Sequence, residues 1–371
     1  MVAIASTRLT CPQGEFELQR YPRRHRETLQ AWCSADLLLL EAAQETTGRA
    51  LVVNDDHGAL SLPLTADTLW TDSAIAAEAV IQNSALNGMQ SPAFVWSTEQ
   101  PRPNVDRIFL RIPKLLPYFE YQLARLASVM PEGTEFFCAG MDKHLSPHTA
   151  AIMEKQLGPV ERYKGRQKAR MFSAVLSGSA KYSPEPLAGY HCENIDFYLT
   201  GLPNVFSREK LDTGSRFLLE NLDRVDPVHS AADLACGNGL LGIAALKLQL
   251  AKNILFADES AMAVASTRQN ASMLSAPGTK TAFHQGDGLL GVEQKFELVL
   301  CNPPFHLGHT VDDFAGRRLL QQAAQALLPG GSLVLVANSH LDYAVTLKRT
   351  FRRVEKLAQN NKFAIWRARH G

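Results

Sequence analysis

The sequence lacks a long apolar run, an excess of one charge and paired cysteines, and each absence excludes a class of function. No apolar stretch reaches the roughly 18 to 20 residues that a membrane-spanning helix needs, so no membrane association is expected. The net charge is only +1, which gives the chain as a whole no general attraction to polyanions. The six cysteines form neither a CxxC pair nor a metal-binding spacing, which predicts reduced thiols and no metal site. The N-terminal segment lacks the basic and apolar blocks of a secretory signal, so a cytoplasmic location is expected.

The order of apolar and amphipathic segments predicts the same fold twice. At 371 residues the chain exceeds the usual size of one domain. In each half, short apolar strands alternate with longer helical segments, a pattern typical of an α/β fold with a parallel sheet and crossover helices. We therefore predict two Rossmann-like α/β domains in tandem, at residues 1–185 and 186–371. In the second half, strands are expected at residues 231–234, 254–257, 281–284, 298–301 and 332–337.

The two halves can be aligned residue by residue, and the first half has lost its glycine loop. Placing Gly58 opposite Gly239 puts Asp56 where the second half has Gly237. A side chain at that position prevents a ligand from approaching the backbone closely. The first domain is therefore predicted to be degenerate, with a binding or scaffold role. The same alignment pairs residues 69–72 with 255–258, and residues 111–114 with 301–304.

A glycine-rich turn follows the first strand of the second half and runs directly into a helical segment. Glycines at such a turn allow positive φ angles and remove Cβ atoms where a nucleotide-like ligand packs against the backbone. The spacing Asp-x-x-x-Gly-x-Gly differs from the GxGxxG pattern of dinucleotide sites. The candidate cofactor-binding residues of the turn are Asp233, Ala235, Cys236, Gly237, Asn238 and Gly239.

An acidic residue lies at or just after the end of each of the next two strands. Asp258 ends the second strand, where a carboxylate can accept hydrogen bonds from both hydroxyls of a ribose, and Asp287 follows the third strand. Either acid alone would be an ordinary turn or helix-cap residue. Because the carboxyl ends of parallel strands meet at one edge of a sheet, we expect both acids to lie beside the glycine turn.

The fourth strand ends in Asn302-Pro303-Pro304-Phe305, the candidate catalytic set. Two prolines can simply end a strand, but the position and the flanking residues argue against that interpretation. The signature resembles a motif of methyltransferases that act on nitrogens conjugated to planar systems, and the resemblance implies an exocyclic amine as the target. Such an amine is a poor nucleophile because its lone pair is delocalised into the ring. If the Asn302 side-chain oxygen and the Pro303 carbonyl oxygen each accept one amine hydrogen, the lone pair can turn towards an electrophile. Phe305 can stack on the target ring.

These motifs resemble those of class I S-adenosylmethionine-dependent methyltransferases. The glycine turn resembles the first motif of that family, and Asn-Pro-Pro-Phe resembles the fourth motif of members that methylate nitrogens conjugated to planar systems. The resemblance implies S-adenosylmethionine as the cofactor. It implies that Asp233 and the turn hold the methionine part and that Asp287 accepts from the adenine amine. Asn302 would then lie against the cofactor as well as the target.

Other segments narrow the resemblance to the bacterial ribosomal RNA guanine-N2 methyltransferases, in which a degenerate N-terminal domain precedes an active one. The similarity lies in residues 204–208, 211–217 and 360–363, and extends over essentially the whole chain. It implies ribosomal RNA as the partner, with no obligate protein partner. The group that modifies 23S rRNA is favoured over the group that modifies 16S rRNA.

Two alternatives use the same residues. The same chemistry could act on adenine or on a protein glutamine, although glutamine enzymes usually carry tyrosine at the position of Phe305. A catalytically silent RNA-binding assembly factor is the alternative of a different class. Local basic clusters favour an RNA surface despite the near-neutral net charge, and four of their members are expected to contact phosphates: Lys164, Lys168, Arg349 and Arg352.

Overall fold

The structure is a computed structural model that describes residues 4–178, 187–275, 277–303, 306–307, 310–311, 313–340, 343–369 and 371. The chain divides into two compact units, residues 1–185 and 186–371. Within the described residues, no helix is both long enough and apolar enough to cross a membrane.

The first unit combines an N-terminal hairpin with a seven-stranded sheet and four α-helices in the described range. Its elements are β1 (Arg8–Cys11), β2 (Gly14–Glu17), α1 (Ser34–Ala42), β3 (Ala50–Val53), β4 (Thr68–Thr71), α2 (Ala74–Leu86), β5 (Ala93–Trp96), β6 (Arg107–Arg111), α3 (Leu116–Val129), β7 (Glu135–Met141), α4 (Thr149–Leu157), β8 (Val160–Arg162) and β9 (Ala169–Val175).

The second unit also begins with a hairpin and continues into a second seven-stranded sheet. Its elements are β10 (Ala188–Cys192), β11 (Phe197–Gly201), α5 (Thr213–Leu219), β12 (Val228–Leu234), α6 (Leu240–Lys247), β13 (Ala251–Asp258), α7 (Ala261–Ser272), β14 (Lys280–Gln285), β15 (Phe296–Cys301), β16 (His306–Leu307), β17 (Thr310–Val311), α8 (Asp313–Ala326), β18 (Leu327–Asn338), α9 (Tyr343–Lys348), β19 (Arg353–Gln359) and β20 (Phe363–Arg369).

The two large sheets have the same strand order, β5-β4-β3-β6-β7-β9-β8 and β14-β13-β12-β15-β18-β20-β19. The predicted tandem of Rossmann-like α/β folds is confirmed, and all five strands predicted in the second half lie within β12, β13, β14, β15 and β18. Each sheet is mixed rather than wholly parallel, because its last two strands pair antiparallel. In the second sheet, residues 360–362 join β19 to β20, and so short a connection can only make an antiparallel pair.

Strand β12 lies at the centre of the second sheet and is covered on both faces. Ala231 packs into one apolar layer, whereas Ala232 and Leu234 pack into the other. Such double burial is typical of a parallel sheet with helices on both sides. Polar loops can therefore emerge only at the strand ends, which is where the candidate site residues lie.

The backbone of the two glycine-loop regions confirms that the units are copies of one fold. After β3, Asn54 has a φ of +61° and Gly58 a φ of +87°. After β12, Ala235 has a φ of +59° and Gly239 a φ of +85°. The two left-handed residues are four positions apart in both units. Gly58 is therefore the structural counterpart of Gly239, as the sequence alignment predicted.

Strand pairing corrects another part of that alignment. The ladder between β3 and β6 ends at the pair Val53 and Leu110, and the equivalent ladder between β12 and β15 ends at the pair Leu234 and Cys301. Asn302 therefore corresponds to Arg111, where the sequence alignment had placed residue 112. The same shift of one residue makes Thr71, not Asp72, the counterpart of Asp258. The prediction was wrong by one residue because it matched Pro113 with Pro303 and Asp72 with Asp258 by residue type, whereas the hydrogen-bonded ladder defines equivalence between strands.

The loop of the first unit is filled by a side chain of its own. The carboxylate of Asp55 is buried and accepts hydrogen bonds from five backbone N–H groups, those of residues 57–61, at 2.7 to 3.2 Å. These N–H groups are therefore engaged, and cannot hold an anionic or polar ligand as the N-terminus of a helix often does. This contact is a physical reason for the degeneracy that the sequence predicted.

Candidate functional site

The carboxyl ends of four neighbouring parallel strands carry the predicted site residues. The last residues of β12 and β15, Leu234 and Cys301, are ladder partners, and Leu234 also pairs with Ala257 of β13. The loops that follow these strands must therefore start side by side. The sheet brings the glycine turn, Asp258 and Asn302 to one edge, which is where open α/β sheets bind ligands.

Asp233 is the most buried acid of the site. It is 1% exposed, and its Oδ2 accepts a hydrogen bond of 2.8 Å from the backbone N–H of Gly242. No described residue donates a hydrogen bond to its Oδ1, which is also buried. Burial raises the pKa of this carboxyl to about 8. A buried acceptor without a partner is costly, and a ligand that brings a donor or a positive charge would satisfy it.

The glycine turn leaves open space where a ligand could approach the backbone. Gly237 has a φ of +58°, and a Cβ built on it would meet no described atom within 4 Å. Its N–H donates to Asp258 Oδ2 at 2.9 Å. At Gly239, in contrast, a Cβ would lie 2.8 Å from the Cγ2 atom of Thr267. Gly237 therefore borders the candidate pocket, while Gly239 allows the turn to pack on α7.

Side chains of the turn hold its shape. The thiol of Cys236 is buried, 3.5 Å from the Thr267 hydroxyl, and burial raises its pKa so that it stays protonated. The Asn238 side chain donates to the hydroxyl of Tyr190 at 3.3 Å, and the Asn238 backbone carbonyl accepts from the Asn270 side chain at 2.9 Å. The side chains of Cys236 and Asn238 are therefore engaged by neighbouring residues of the same unit.

The two acids at the strand ends have different surroundings. Asp258 accepts from the N–H groups of Gly237 and Ser260, at 2.9 and 3.0 Å, so it braces the turn at the sheet edge. Asp287 is buried and forms an ion pair with Arg318 of α8. The sequence reasoning missed Arg318, since a partner 31 positions away leaves no local signal.

Asn302 is held by a helix that the sequence reasoning did not include in the site. Its Nδ2 atom donates to Asp212 Oδ2 at 3.1 Å and to Ser215 Oγ at 2.8 Å. Asp212 is also the N-cap of α5, because the same oxygen accepts from the backbone N–H of Ser215 at 2.8 Å. The signal available in the sequence was the helix-start pattern of Asp followed three residues later by Ser, before an apolar segment.

The rest of the candidate catalytic set can be followed only in part. Pro303 is buried directly after Asn302 at the end of β15. Pro304 and Phe305 lie outside the described residues, so the stacking role of Phe305 stays a prediction.

A groove of about 480 Å³ lies beside α5 and the turn between β19 and β20. Two cationic side chains, Arg216 and Lys362, line it together with Phe217 and Phe363. The Lys362 ammonium lies 3.4 Å from the Thr213 hydroxyl, which links the turn to the first residue of α5. Glu220 also lines the groove, so two cations and one acid border it beside α5, the helix that also holds Asn302.

The predicted basic clusters differ in how far acids neutralise them. Three arginines of residues 162–170 pair with nearby acids: Arg162 with Glu154, Arg166 with Glu41, and Arg170 with Asp142. Lys164, Lys168, Arg349 and Arg352 are exposed and form no ion pair with any residue that the structure describes. These four side chains are available to a polyanion.

The site residues fit a cationic nucleoside cofactor better than a metal. In the described part of the chain, no group of three or more His, Cys, Asp or Glu side chains could hold a metal ion. The unpartnered Asp233 Oδ1 and the open space at Gly237 place a carboxyl group, which is negatively charged once it has lost its proton, beside a bare backbone. S-adenosylmethionine carries a sulfonium and an ammonium group, and it matches this pair of features.

Cofactor affinity is expected to rise with pH up to about 8. With a pKa of about 8, the Asp233 carboxyl holds a proton at lower pH, and it must lose that proton to stabilise a cation. Affinity should therefore fall by up to about tenfold per pH unit below 8. Titration calorimetry of S-adenosylmethionine at pH 6, 7 and 8 measures this slope. Asp233→Asn should bind more weakly with a flat profile, and an equally steep slope in that variant would contradict the assignment.

The fold and the site together define a class of protein. A Rossmann-like sheet with a glycine turn after its central strand, and Asn-Pro-Pro after the neighbouring strand, is that of an S-adenosylmethionine-dependent methyltransferase. Family models agree: residues 6–178 match the RLMG N-terminal domain, and residues 196–367 match the Methyltransferase small domain.

Curated relatives identify the family. Ribosomal RNA large subunit methyltransferase G of Alcanivorax borkumensis is 40% identical over an alignment of 378 residues, gaps included, which covers 96% of this chain and 95% of the relative. The protein of the same name from Pseudomonas putida strain GB-1 is 39% identical over 373 residues, with 97% and 99% covered. The chain belongs to the ribosomal RNA large subunit methyltransferase G family.

A solved structure shares the tandem fold. The T. thermophilus 16S rRNA N2 G1207 methyltransferase, solved in complex with AdoMet and guanosine, aligns with a TM-score of 0.78 over 98% of each chain. The sequence identity is 22%, so this likeness bears on the fold.

Proposed function

We propose that this enzyme transfers a methyl group from S-adenosylmethionine to the N2 amine of one guanine in 23S ribosomal RNA. The observation that carries the proposal is the place of Asn302, at the end of β15 beside the strand that leads into the glycine turn. Relatives at about 40% identity are named for large-subunit ribosomal RNA, which supports that substrate over small-subunit RNA. A ribosomal substrate also supports a cytoplasmic site of action.

The chain's own groups account for the proposed activation of the amine. Asn302 Oδ1 accepts one hydrogen of the guanine amine, and the Pro303 carbonyl accepts the other. Proline suits this role because its ring restricts φ and it has no N–H to compete for nearby acceptors. The cofactor supplies an electrophilic methyl group. Alignment and polarisation of the amine by these two oxygens then carry the catalysis, with no strong base required.

We assign RNA binding to cations that form no ion pair with the residues that the structure describes. Arg216 and Lys362 border the groove beside α5, the helix that holds Asn302, where they can contact phosphates that flank the target. In the first unit, Lys164 and Lys168 can add affinity without reading sequence. The target guanine must leave its stack to reach Asn302, as target bases do in other base-modifying enzymes.

Mass mapping of ribosomal RNA from cells that lack this protein tests the proposal. We expect one N2-methylguanosine to be missing from 23S rRNA, and to return when the unaltered chain is supplied but not when Asn302→Ala is supplied. A mark missing from 16S rRNA instead would identify the small-subunit alternative. Unchanged guanine methylation, or loss of a methyl group from adenine or protein glutamine, would refute the proposal.

A further inference from the structure

Among the described residues, the amide group of Asn302 is engaged on its nitrogen side only. Its Nδ2 atom has two hydrogens, and two acceptors lie within reach, Asp212 Oδ2 and Ser215 Oγ. No described residue donates a hydrogen bond to Asn302 Oδ1. The amide is therefore tied to α5 through its donors, and its acceptor is left for another molecule.

The chemistry of the partner decides which way the amide faces. The nitrogen and oxygen of an amide have similar shapes, so packing alone distinguishes them poorly. A carboxylate, however, can only accept, and Asp212 already accepts from the Ser215 N–H with the same oxygen. An inverted amide would set Asn302 Oδ1 against Asp212 and turn its N–H groups outwards. Asp212 thus excludes the orientation in which the N–H groups of Asn302 would face the N–H groups of the target amine.

The first unit has a contact at the equivalent place. Arg111, the structural counterpart of Asn302, pairs with Asp36 of α1. Asp36 and Ser215 occupy the same position, three residues after the N-cap of the helix that precedes the central strand. Arginine offers donors and no acceptor, so this version of the contact leaves nothing to receive an amine hydrogen. The contact in the second unit therefore leaves the Asn302 oxygen as an acceptor, whereas the contact in the first unit leaves none on Arg111.

We infer that Asp212 and Ser215 are positioning residues for methyl transfer, holding Asn302 so that its oxygen faces the target amine. This inference rests on the proposed function and deepens it. Neither residue touches the reacting atoms; both act through Asn302.

The variant Asp212→Asn tests the orientation because it leaves one oxygen acceptor where Asp212 has two. Asparagine has the same shape as aspartate and can still cap the helix through that oxygen. When its nitrogen instead takes the place of Asp212 Oδ2, it can donate to Asn302 Oδ1, which lets the Asn302 side chain turn round. We expect the single-turnover rate of methyl transfer to fall by about 100-fold, the scale of losing one aligned polar contact to a reacting group. Ser215→Ala removes one of two acceptors and should lower the rate by about tenfold.

A swap of the two side-chain types makes the test specific. Asn302→Asp alone sets two carboxylates against each other and should also be slow. The double variant combines Asp212→Asn with Asn302→Asp. Its introduced amide at 212 can donate to one oxygen of the introduced carboxylate at 302, and the other oxygen of that carboxylate can still accept from the target amine. The double variant should be at least about tenfold faster than either single variant. A merely structural role for Asp212 predicts no such rescue.

Controls separate the possible failures. Asp223→Asn removes an exposed acid just after α5 and should leave the transfer rate unchanged. Melting temperature and S-adenosylmethionine affinity should be similar in all variants. If the unaltered chain methylates ribosomal RNA and the double variant is no faster than the slower single one, the positioning role is wrong and the proposed function stands. If the unaltered chain transfers no methyl group to ribosomal RNA, both fall.

Discussion

Replacing Asn302 with alanine should lower the turnover rate by about 1,000-fold while cofactor affinity changes by less than about threefold. The substitution removes the one side-chain acceptor at the end of β15, so the amine lone pair stays conjugated with the ring. Nothing in the glycine turn depends on this side chain, because its hydrogen bonds run to α5. Single-turnover methylation of a ribosomal RNA fragment measures the rate, and titration calorimetry measures the affinity.

A matched control lies on the same sheet. Asn253 is near the start of β13, at the opposite edge from the candidate site, where its side chain contacts His229 at 2.8 Å. Asn253→Ala makes the same chemical change and should leave the rate within about twofold. If Asn302→Ala lost cofactor binding along with activity, Asn302 would be part of the cofactor pocket instead of the amine-binding group.

Replacing Gly237 with alanine should weaken S-adenosylmethionine binding by about 10- to 100-fold. The added methyl group would enter space that no described protein atom occupies, and that space is where the cofactor is expected to lie against the backbone. The positive φ of +58° adds a second cost, because a Cβ is strained in the left-handed region.

Gly291→Ala separates these two costs. Gly291 has a φ of +79°, and no described atom lies within 4 Å of a Cβ built there, so the backbone penalty is comparable. It lies in an exposed turn between β14 and β15, and it is not part of the glycine loop. We expect this variant to melt at a slightly lower temperature and to bind the cofactor normally. Equal losses of affinity in the two variants would mean that strain alone, and not occupation of a pocket, explains the effect at Gly237.

Much of the candidate site could be predicted from residues that are close together in the chain. The glycine turn, Asp258 and Asn302 each follow a strand, and parallel strands bring such positions to one edge whatever the details of packing. The internal repeat was equally readable around Gly58, where the backbone angles match those at Gly239. It was misread by one residue at Arg111, because prolines are a weaker guide to register than a hydrogen-bonded ladder.

Contacts between distant segments could not be predicted in the same way. The ion pair between Asp287 and Arg318 leaves no trace in local sequence, since neither residue is unusual where it stands. The five hydrogen bonds to Asp55 depend on the path of the backbone through residues 57–61. The sequence shows only that Asp56 replaces the first glycine of the turn.

The sequence alone determined the tandem α/β fold and the class of cofactor, and it predicted Asn302 as the amine-binding residue, because all three follow from short motifs at strand ends. Only the tertiary structure decided which atom of Asn302 faces outwards. That choice depends on Asp212 and Ser215, which lie 90 and 87 positions earlier in the chain. Hydrogen bonds are directional, so an amide takes its orientation from acceptors that only folding brings beside it.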